Sequence, residues 1–334
     1  MNHSLPDGFT TRPATAEDAA RVAELWNDRS QVTRNERPET PESVVRRWDH
    51  PKFDLATDSR LVFSPDGELV GYVHIRDVKD PPVDVFSGYE VHPRFDGVSW
   101  LWDHLFGWME REARRVIAKA PADARIVLLA GASDEDRVEQ GELERHGFKH
   151  DRTFHRMAID FAESQVPEPD WPEGISVRTV DPDVDDEALV SAHRDAFSEH
   201  YGYLEQPFET ELAELRHWLE ADDFEADLWF VAEEGDTIAG FCCCYAEAPG
   251  DTERSLVDVL GVRPAWRRRG IGKALLLHAF GVFSSRGTRG AVLTVDTENT
   301  TDALRVYEIA GMRCSRSHLT YAKELRSGRD LVAG

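Results

Sequence analysis

A chain of 334 residues is longer than one ordinary hydrophobic core organises, so two domains are expected. Its 41% hydrophobic content, with 9 Trp and 16 Phe, excludes general disorder. A surplus of 63 acidic over 39 basic side chains, a net charge of −24, argues against nucleic acid and anionic membranes as partners and leaves cationic amines acceptable.

The first eight residues lack a basic region followed by an apolar core, and no run approaches the ~18 apolar residues of a membrane span, so a cytoplasmic protein is expected. From there, residues 9–14 read as a strand and 16–26 as an amphipathic helix. Residues 60–63 and 69–75 alternate around Asp66-Gly67, a hairpin signal. Glu90-Val91-His92-Pro93 then leads into a long helix, and Leu143-Glu144-Arg145-His146-Gly147-Phe148 ends another at a glycine before a last strand. Next comes Val166-Pro167-Glu168-Pro169-Asp170-Trp171-Pro172-Glu173-Gly174, whose prolines fix an extended linker.

The same order then recurs. A strand at 175–180 and a helix at 185–197 precede a hairpin of 228–232 and 238–242 around Glu234-Gly235. Gly261-Val262-Arg263-Pro264 leads to a long helix, and Tyr307-Glu308-Ile309-Ala310-Gly311-Met312 matches the earlier glycine-stopped end. An offset of roughly 165 to 170 residues is a domain duplication, not a solenoid repeat. The expected organisation is a first domain over 1–165, a linker over 166–174 and a second domain over 175–334. Each copy reads β-α-α-β-β-β-α-β-α-β, an α/β fold with a mixed sheet and helices on both faces.

The four cysteines carry little chemistry. Cys242, Cys243 and Cys244 are consecutive, which alternates them across a strand without metal-ligand spacing, and Cys314 stands alone; no metal is expected.

The stretch richest in chemistry is Arg267-Arg268-Arg269-Gly270-Ile271-Gly272-Lys273, where an apolar strand turns into a helix. Two glycines one residue apart admit close backbone approach, and the first helical turn offers unpaired N–H groups at a positive dipole end. With three arginines and a lysine, the favoured ligand is a phosphate or pyrophosphate. The stretch is neither a Gly-x-x-x-x-Gly-Lys-Ser/Thr loop nor a complete dinucleotide fingerprint. Two further groups stand out. Ala303 and Tyr307 share a face of a helix expected over 300–311, with Asn299 ahead of it as an N-cap. Asp258 interrupts an apolar strand on the face expected for Leu256 and Leu260; a carboxylate there is functional, or else an ion pair or an edge-strand guard.

Arg267-x-x-Gly270-x-Gly272 resembles the Gln/Arg-x-x-Gly-x-Gly/Ala signature of the GCN5-related N-acetyltransferases (GNATs). The element order of both copies resembles that fold, so the resemblance implies two tandem GNAT-like domains. It implies that residues 267–273 hold the pyrophosphate of acetyl-CoA, that backbone groups of Leu260 and Val262 pair with its pantetheine arm, and that Asn299 and Ala303 lie against it. Tyr307 would be the acid that protonates the leaving thiolate and Asp258 the base that deprotonates the amine. Glu199, His200 and Tyr201, in the loop after the first helix of the second copy, would contact the acceptor. Val306 and Met312 replace the family's usual leucine and phenylalanine, and the Asn299 to Tyr307 spacing is one residue longer than in many members.

The first copy lacks these residues: counted from Pro93 and Pro264, Asp96 falls opposite Arg267, Ser99 opposite Gly270, Leu101 opposite Gly272 and Ser87 opposite Asp258, and matching the glycine-stopped helix ends sets Leu143 opposite Tyr307. The expected function is acetylation of a small-molecule primary amine by direct attack at one site in the second copy, by a monomer or homodimer. The tandem order also resembles the mycothiol synthase branch, which acetylates an amino-sugar thiol precursor but places its base where this chain has Leu256. A protein N-terminal acetyltransferase and a non-catalytic acyl-CoA sensor are the other readings.

Overall fold

A computed structural model describes residues 5–32, 39–50, 52–77, 79–163, 166–299 and 303–332. The chain forms two compact units, one of Met1–Thr153 with His318–Leu331, the other of Phe154–Ser317 with Val332–Gly334.

The first unit contains β1 (Thr10–Arg12), α1 (Ala19–Val32), α2 (Pro41–Trp48), α3 (Leu55–Asp58), β2 (Ser59–Phe63), β3 (Leu69–Arg76), β4 (Asp84–Val91), α4 (Ser99–Ala113), β5 (Ile126–Ser133), α5 (Arg137–Arg145) and the start of β6 (Lys149–Asp160). Strands β1 to β4 pair antiparallel in sequence order, and β4 runs parallel to β5 across the α4 crossover. Period-two alternation splits the sheet between two cores. Val62, Val73 and Ile75 meet Leu101, Leu105 and Met109 of α4 on one face. Leu61, Phe63 and Tyr72 meet Val22, Leu25, Val44 and Trp48 of α1 and α2 on the other. Gly71 makes the first packing possible, since a Cβ there would stand 3.1 Å from Leu105 and 3.2 Å from Leu101.

The second unit repeats the plan with the rest of β6, β7 (Ile175–Thr179), α6 (Asp186–Phe197), α7 (Phe208–Leu219), β8 (Trp229–Glu234), β9 (Thr237–Tyr245), β10 (Arg254–Val262), α8 (Ile271–Ser285), β11 (Gly290–Asp296), α9 (Ala303–Ile309) and the start of β12 (Arg313–Arg326). Helix α8 is apolar over most of its surface, with Ala274, Leu275, Leu276, Leu277, Ala279, Phe280 and Phe283 all buried. The two units share a small signature of their common plan: Arg12 forks onto Asp18 and Arg178 onto Asp185, each arginine on the first strand and each aspartate beside the first long helix.

One pairing departs from the sequence reading, in which each copy keeps its own last strand. Residues 318–326 of β12, the final strand of the chain, pair antiparallel with β5 and complete the first sheet. Residues 154–160 of β6 pair antiparallel with β11 and complete the second. Both strands are long and alternating, and an antiparallel partner is chosen by side-chain fit on the neighbouring strand, which no local pattern encodes. The contact border therefore falls at 153/154 and 317/318 and not in the proline-rich 166–174 segment.

Candidate active site

Strand β10 ends at Val262 and the chain makes a short 3-10 turn over Pro264–Trp266. Arg268 then takes φ +63°, the one non-glycine residue with positive φ among those described, and Gly270 takes φ +93° as the N-cap of α8. A left-handed residue with a side chain costs about 1–2 kcal/mol, a strain that persists where the surroundings require it. Gly270 has no side chain to cap the helix, and the first internal bond runs from Ala274 N–H to Gly270 O at 3.0 Å. Among the described residues, no acceptor meets the backbone N–H groups of Arg268, Arg269 or Gly270, and those of Ile271, Gly272 and Lys273 form the free first turn. Space above the glycines is open: a Cβ at Gly270 would meet nothing within 4 Å, and one at Gly272 only Val262 at 3.5 Å. Donors, dipole and room suit a phosphate.

The side chains behave differently from the sequence expectation that all four cations face the anion. Arg267 donates to Val262 O (3.3 Å), Ala196 O (3.0 Å) and Glu199 (3.1 Å), which ties the loop to the end of α6. Arg269 donates to Glu234 (2.8 Å), the carboxylate that also accepts from Trp266 Nε1. Of the four loop cations, Arg268 and Lys273 have no partner among the described residues, and both are exposed. The cradle is thus chiefly backbone, shaped by arginines that hold it from behind.

Below the cradle the sheet opens. β10 and β11 pair only from Arg254/Gly290 to Leu256/Val292, so the β11 side of Val257 to Val262, with Leu260 among them, has no ladder partner. At the point of parting the β9 register shifts: Val257 faces Cys244 and Val259 faces Cys243, which leaves Asp258 as the extra residue of a β-bulge. The bulge corrects the expected face. Leu256 lies opposite Tyr245 and Leu260 opposite Cys242, so the two leucines point to opposite sides of the sheet, with Asp258 on the Tyr245 and Cys243 side.

Asp258 has no hydrogen bond or ion pair among the described residues. Its carboxyl reaches solvent, yet the protein around it removes enough hydration to raise its pKa. Beside it, the phenol of Tyr245 is pushed above the usual tyrosine range by burial, with the charges of Asp258 and Asp223 adding to the effect. Tyr307 approaches from the opposite face, on α9. Its ring is buried, its hydroxyl has no partner among the described residues, and burial with the neighbouring Cys242 pushes its pKa up to about 12. The cysteines are buried strand residues, with Cys242 and Cys244 sulfurs 3.5 Å apart on the Tyr307 side. A neutral acid and a raised carboxylate thus flank the open edge of β10 from its two faces.

A model of the acetyltransferase (GNAT) family matches residues 188–312. A mycothiol acetyltransferase of Thermobispora bispora is 36% identical over 265 residues, 78% of this chain and 82% of the relative. A GCN5-related N-acetyltransferase structure from Sphaerobacter thermophilus is 32% identical with a TM-score of 0.83, covering 98% of this chain and 99% of that one. The chain belongs to the GNAT family. A tandem GNAT protein of the clavulanic acid pathway shares the fold, with a TM-score of 0.69 at 14% identity over 96% of this chain and 100% of that one. The protein is therefore an acyltransferase built as a tandem GNAT, similar to the mycothiol enzymes.

The remaining expected residues are placed as follows in this GNAT. Ala303 opens α9 one turn before Tyr307. Asn299 donates its N–H to Asp296 O at 3.2 Å in the turn after β11; residues 300–302, between it and α9, lie outside the described residues. Glu199 is paired with Arg267, and His200 packs its ring on Phe197 at 4.5 Å, where burial and Arg267 lower its pKa. Tyr201 is half-buried in the same turn.

The first unit closes every counterpart. β4 and β5 also part after three pairs, at Phe86/Leu129, but Ser87 Oγ then donates to Leu129 O (2.7 Å) and Tyr89 Oη to Gly131 O (2.9 Å), bridging the gap. Its loop is occupied by charge: Asp96 accepts from Arg29 of α1, which also meets Asp136 (2.5 Å) and Glu139 (3.3 Å). Burial and the neighbouring Asp136 raise the pKa of Glu139. The β3–β4 ladder runs without a shift, so Ser87 corresponds to Val257 and not, as a straight count gives, to Asp258; the bulge residue has no counterpart at all.

Proposed function

We propose that this GNAT transfers acetyl from acetyl-CoA to the primary amine of a small molecule, by direct attack, at a single site in the second unit. The observation that carries the reading is the contrast between the units. One keeps an open strand edge under an uncapped N–H cradle, while the other fills both with its own side chains. No site of ≥3 metal-ligating side chains occurs among the described residues, and the proposed chemistry calls for none.

Acetyl-CoA supplies an activated thioester; the protein supplies position and protons. The N–H groups of residues 268–273 hold the pyrophosphate, and the free edge of Val257 to Val262, including Leu260, offers the pantetheine amides a strand to pair with. Asp258 accepts a proton from the ammonium, whose own pKa is ~10. Its raised pKa makes it a stronger base than an ordinary aspartate while leaving it at the solvent side, where the amine enters. Tyr307, neutral up to about pH 12, returns a proton to the departing thiolate. Glu199, His200 and Tyr201 border the acceptor side. The net charge of −24 favours a cationic amine over nucleic acid as partner, and no described helix is long and apolar enough to cross a membrane.

The relatives favour a second reading, acetylation of the amine of an amino-sugar thiol, as the mycothiol acetyltransferases are named for. Leu256, where that branch is expected to carry its base, is paired on both sides in the ladder before the bulge, so here the base role falls to Asp258. The test is release of free CoA from acetyl-CoA across a panel of small amines, amino-sugar thiols and N-terminal peptides. Turnover with small amines supports the proposal and preference for peptides refutes it; binding of acetyl-CoA with no turnover on any amine identifies a sensor.

A further inference from the structure

In a chain with so large an excess of carboxylates, an arginine without one is informative. Arg156 on β6 stands opposite Thr294 of β11, half-buried, and its guanidinium has no hydrogen bond or ion pair among the described residues. Asp251, whose charge it senses, is bonded to Arg254 at 2.9 Å. A second arginine, Arg316, lies on the adjoining strand segment, where Ser315 Oγ donates to Arg156 O at 3.0 Å. Burial and the charges of Arg316 and Arg254 push the Arg156 pKa down, against a smaller opposing effect of Asp251.

The register fixes where this pair points. Met157 and Ile159 face the core, so Arg156 and Ala158 face the other side of the sheet. Arg254 shares that side, since it reaches Asp160, and so does Tyr245, opposite Leu256 two residues along β10. Asp258 belongs to this side as well, at the height of Thr294 and Arg156. Where β10 and β11 still pair, two strand spacings, about 10 Å, separate the β10 and β6 backbones, and the crevice between Asp258 and Arg156 widens from there, leaving room for an acceptor between them. In the first unit the equivalent position, opposite Gly131, carries Thr320, so the charge is particular to the unit with the open crevice.

We propose that Arg156, with Arg316 beside it, binds an anionic group of the acceptor, a carboxylate or a phosphate ester, while the acceptor's amine lies at Asp258. The proposal rests on the reading of Asp258 as the base. It makes the acceptor an amine that carries its own negative charge, held at both ends across the open face.

The test pairs amines differing by one anion, glycinamide with glycine and glucosamine with glucosamine 6-phosphate, and follows CoA release by wild type, Arg156→Met and Arg156→Lys. Calorimetry with acetyl-CoA on the same preparations reports folding and the cradle independently. In wild type the anionic member of one pair should have a KM lower by about 10-fold, the scale of one charge-assisted hydrogen bond. Arg156→Met should level that pair, Arg156→Lys restore part of the preference, and acetyl-CoA binding stay unchanged. Which pair responds separates carboxylate from phosphate. Neutral amines used as well as their anionic partners, or a preference that survives in Arg156→Met, overturns the proposal. Should acetyl-CoA bind and no amine react, titration of the loaded protein with acetate and with inorganic phosphate decides. Binding that depends on Arg156 upholds the anion subsite while the amine reading fails, and its absence overturns the subsite.

Discussion

Replacing Tyr307 with Phe removes one oxygen and tests the acid directly. The ring is only 8% exposed and packs in the core of the second unit, so the phenyl group keeps its contacts. The hydroxyl has no partner among the described residues, so no hydrogen bond to them is lost. Removing it should therefore change stability by less than about 1 kcal/mol. Catalysis should respond far more. Losing a positioned general acid lowers kcat by about 10²–10⁴-fold, with little change in the KM for acetyl-CoA. A folded-state pKa raised to about 12 keeps the phenol neutral between pH 7 and 10, so no alkaline fall in that range belongs to it. The linked stability is present below the unfolded pKa near 10 and is lost as pH rises toward about 12. Urea unfolding and CoA release, measured side by side from pH 7 to 10, check both halves. A variant within about twofold of wild type throughout that range refutes the acid role, and a loss of activity matched by a loss of stability reduces Tyr307 to packing.

Further expectations concern the base and the cradle. Asp258→Asn should abolish the rise of kcat/KM with pH that ionisation of the carboxylate produces. A raised carboxylate pKa favours the protonated form on folding, so the ionised group weighs against stability at neutral pH and the amide variant should unfold no more easily; a retained pH limb would assign the base elsewhere. Gly270→Ala places a Cβ on a residue at φ +93°, in open space, so it should cost about 1 kcal/mol of backbone strain without a clash. The same Cβ intrudes on the cradle, so the Kd for acetyl-CoA should rise about tenfold, read by calorimetry. Arg267→Ala should raise the KM for acetyl-CoA by releasing the loop from Ala196 and Val262, whereas Glu199→Ala, which removes only an exposed pair, should change stability by less than ~1 kcal/mol in thermal melts.

The duplication and the cradle were legible because they rest on local patterns: hairpin turns, a glycine pair after a strand, glycine-stopped helices. Asp258 was legible as a carboxylate in an apolar strand, but its surroundings were not. A bulge adds a residue without leaving a mark in composition, so a straight count set Ser87 against Asp258 and put Leu256 and Leu260 on one face. The arginines illustrate a related gap. Sequence gives their charge near the loop, while their partners Glu199, Glu234 and Ala196 come from elements 35 to 71 residues away. Exchange of the last strands lies further still from view, since two long alternating strands suit either sheet. Arg156 could be singled out only once β6 was known to sit beside β11 in the second unit. Its sequence context, an ordinary basic residue between His155 and Met157, offers no signal.

The most direct test of the account is a structure of the protein with acetyl-CoA bound, together with the stoichiometry of that complex in solution. One molecule per chain is expected, its pyrophosphate on the N–H groups of residues 268–273 and its pantetheine arm along Val257 to Val262. Two molecules per chain, or one seated between β4 and β5 where Ser87 and Tyr89 now close the gap, would contradict it.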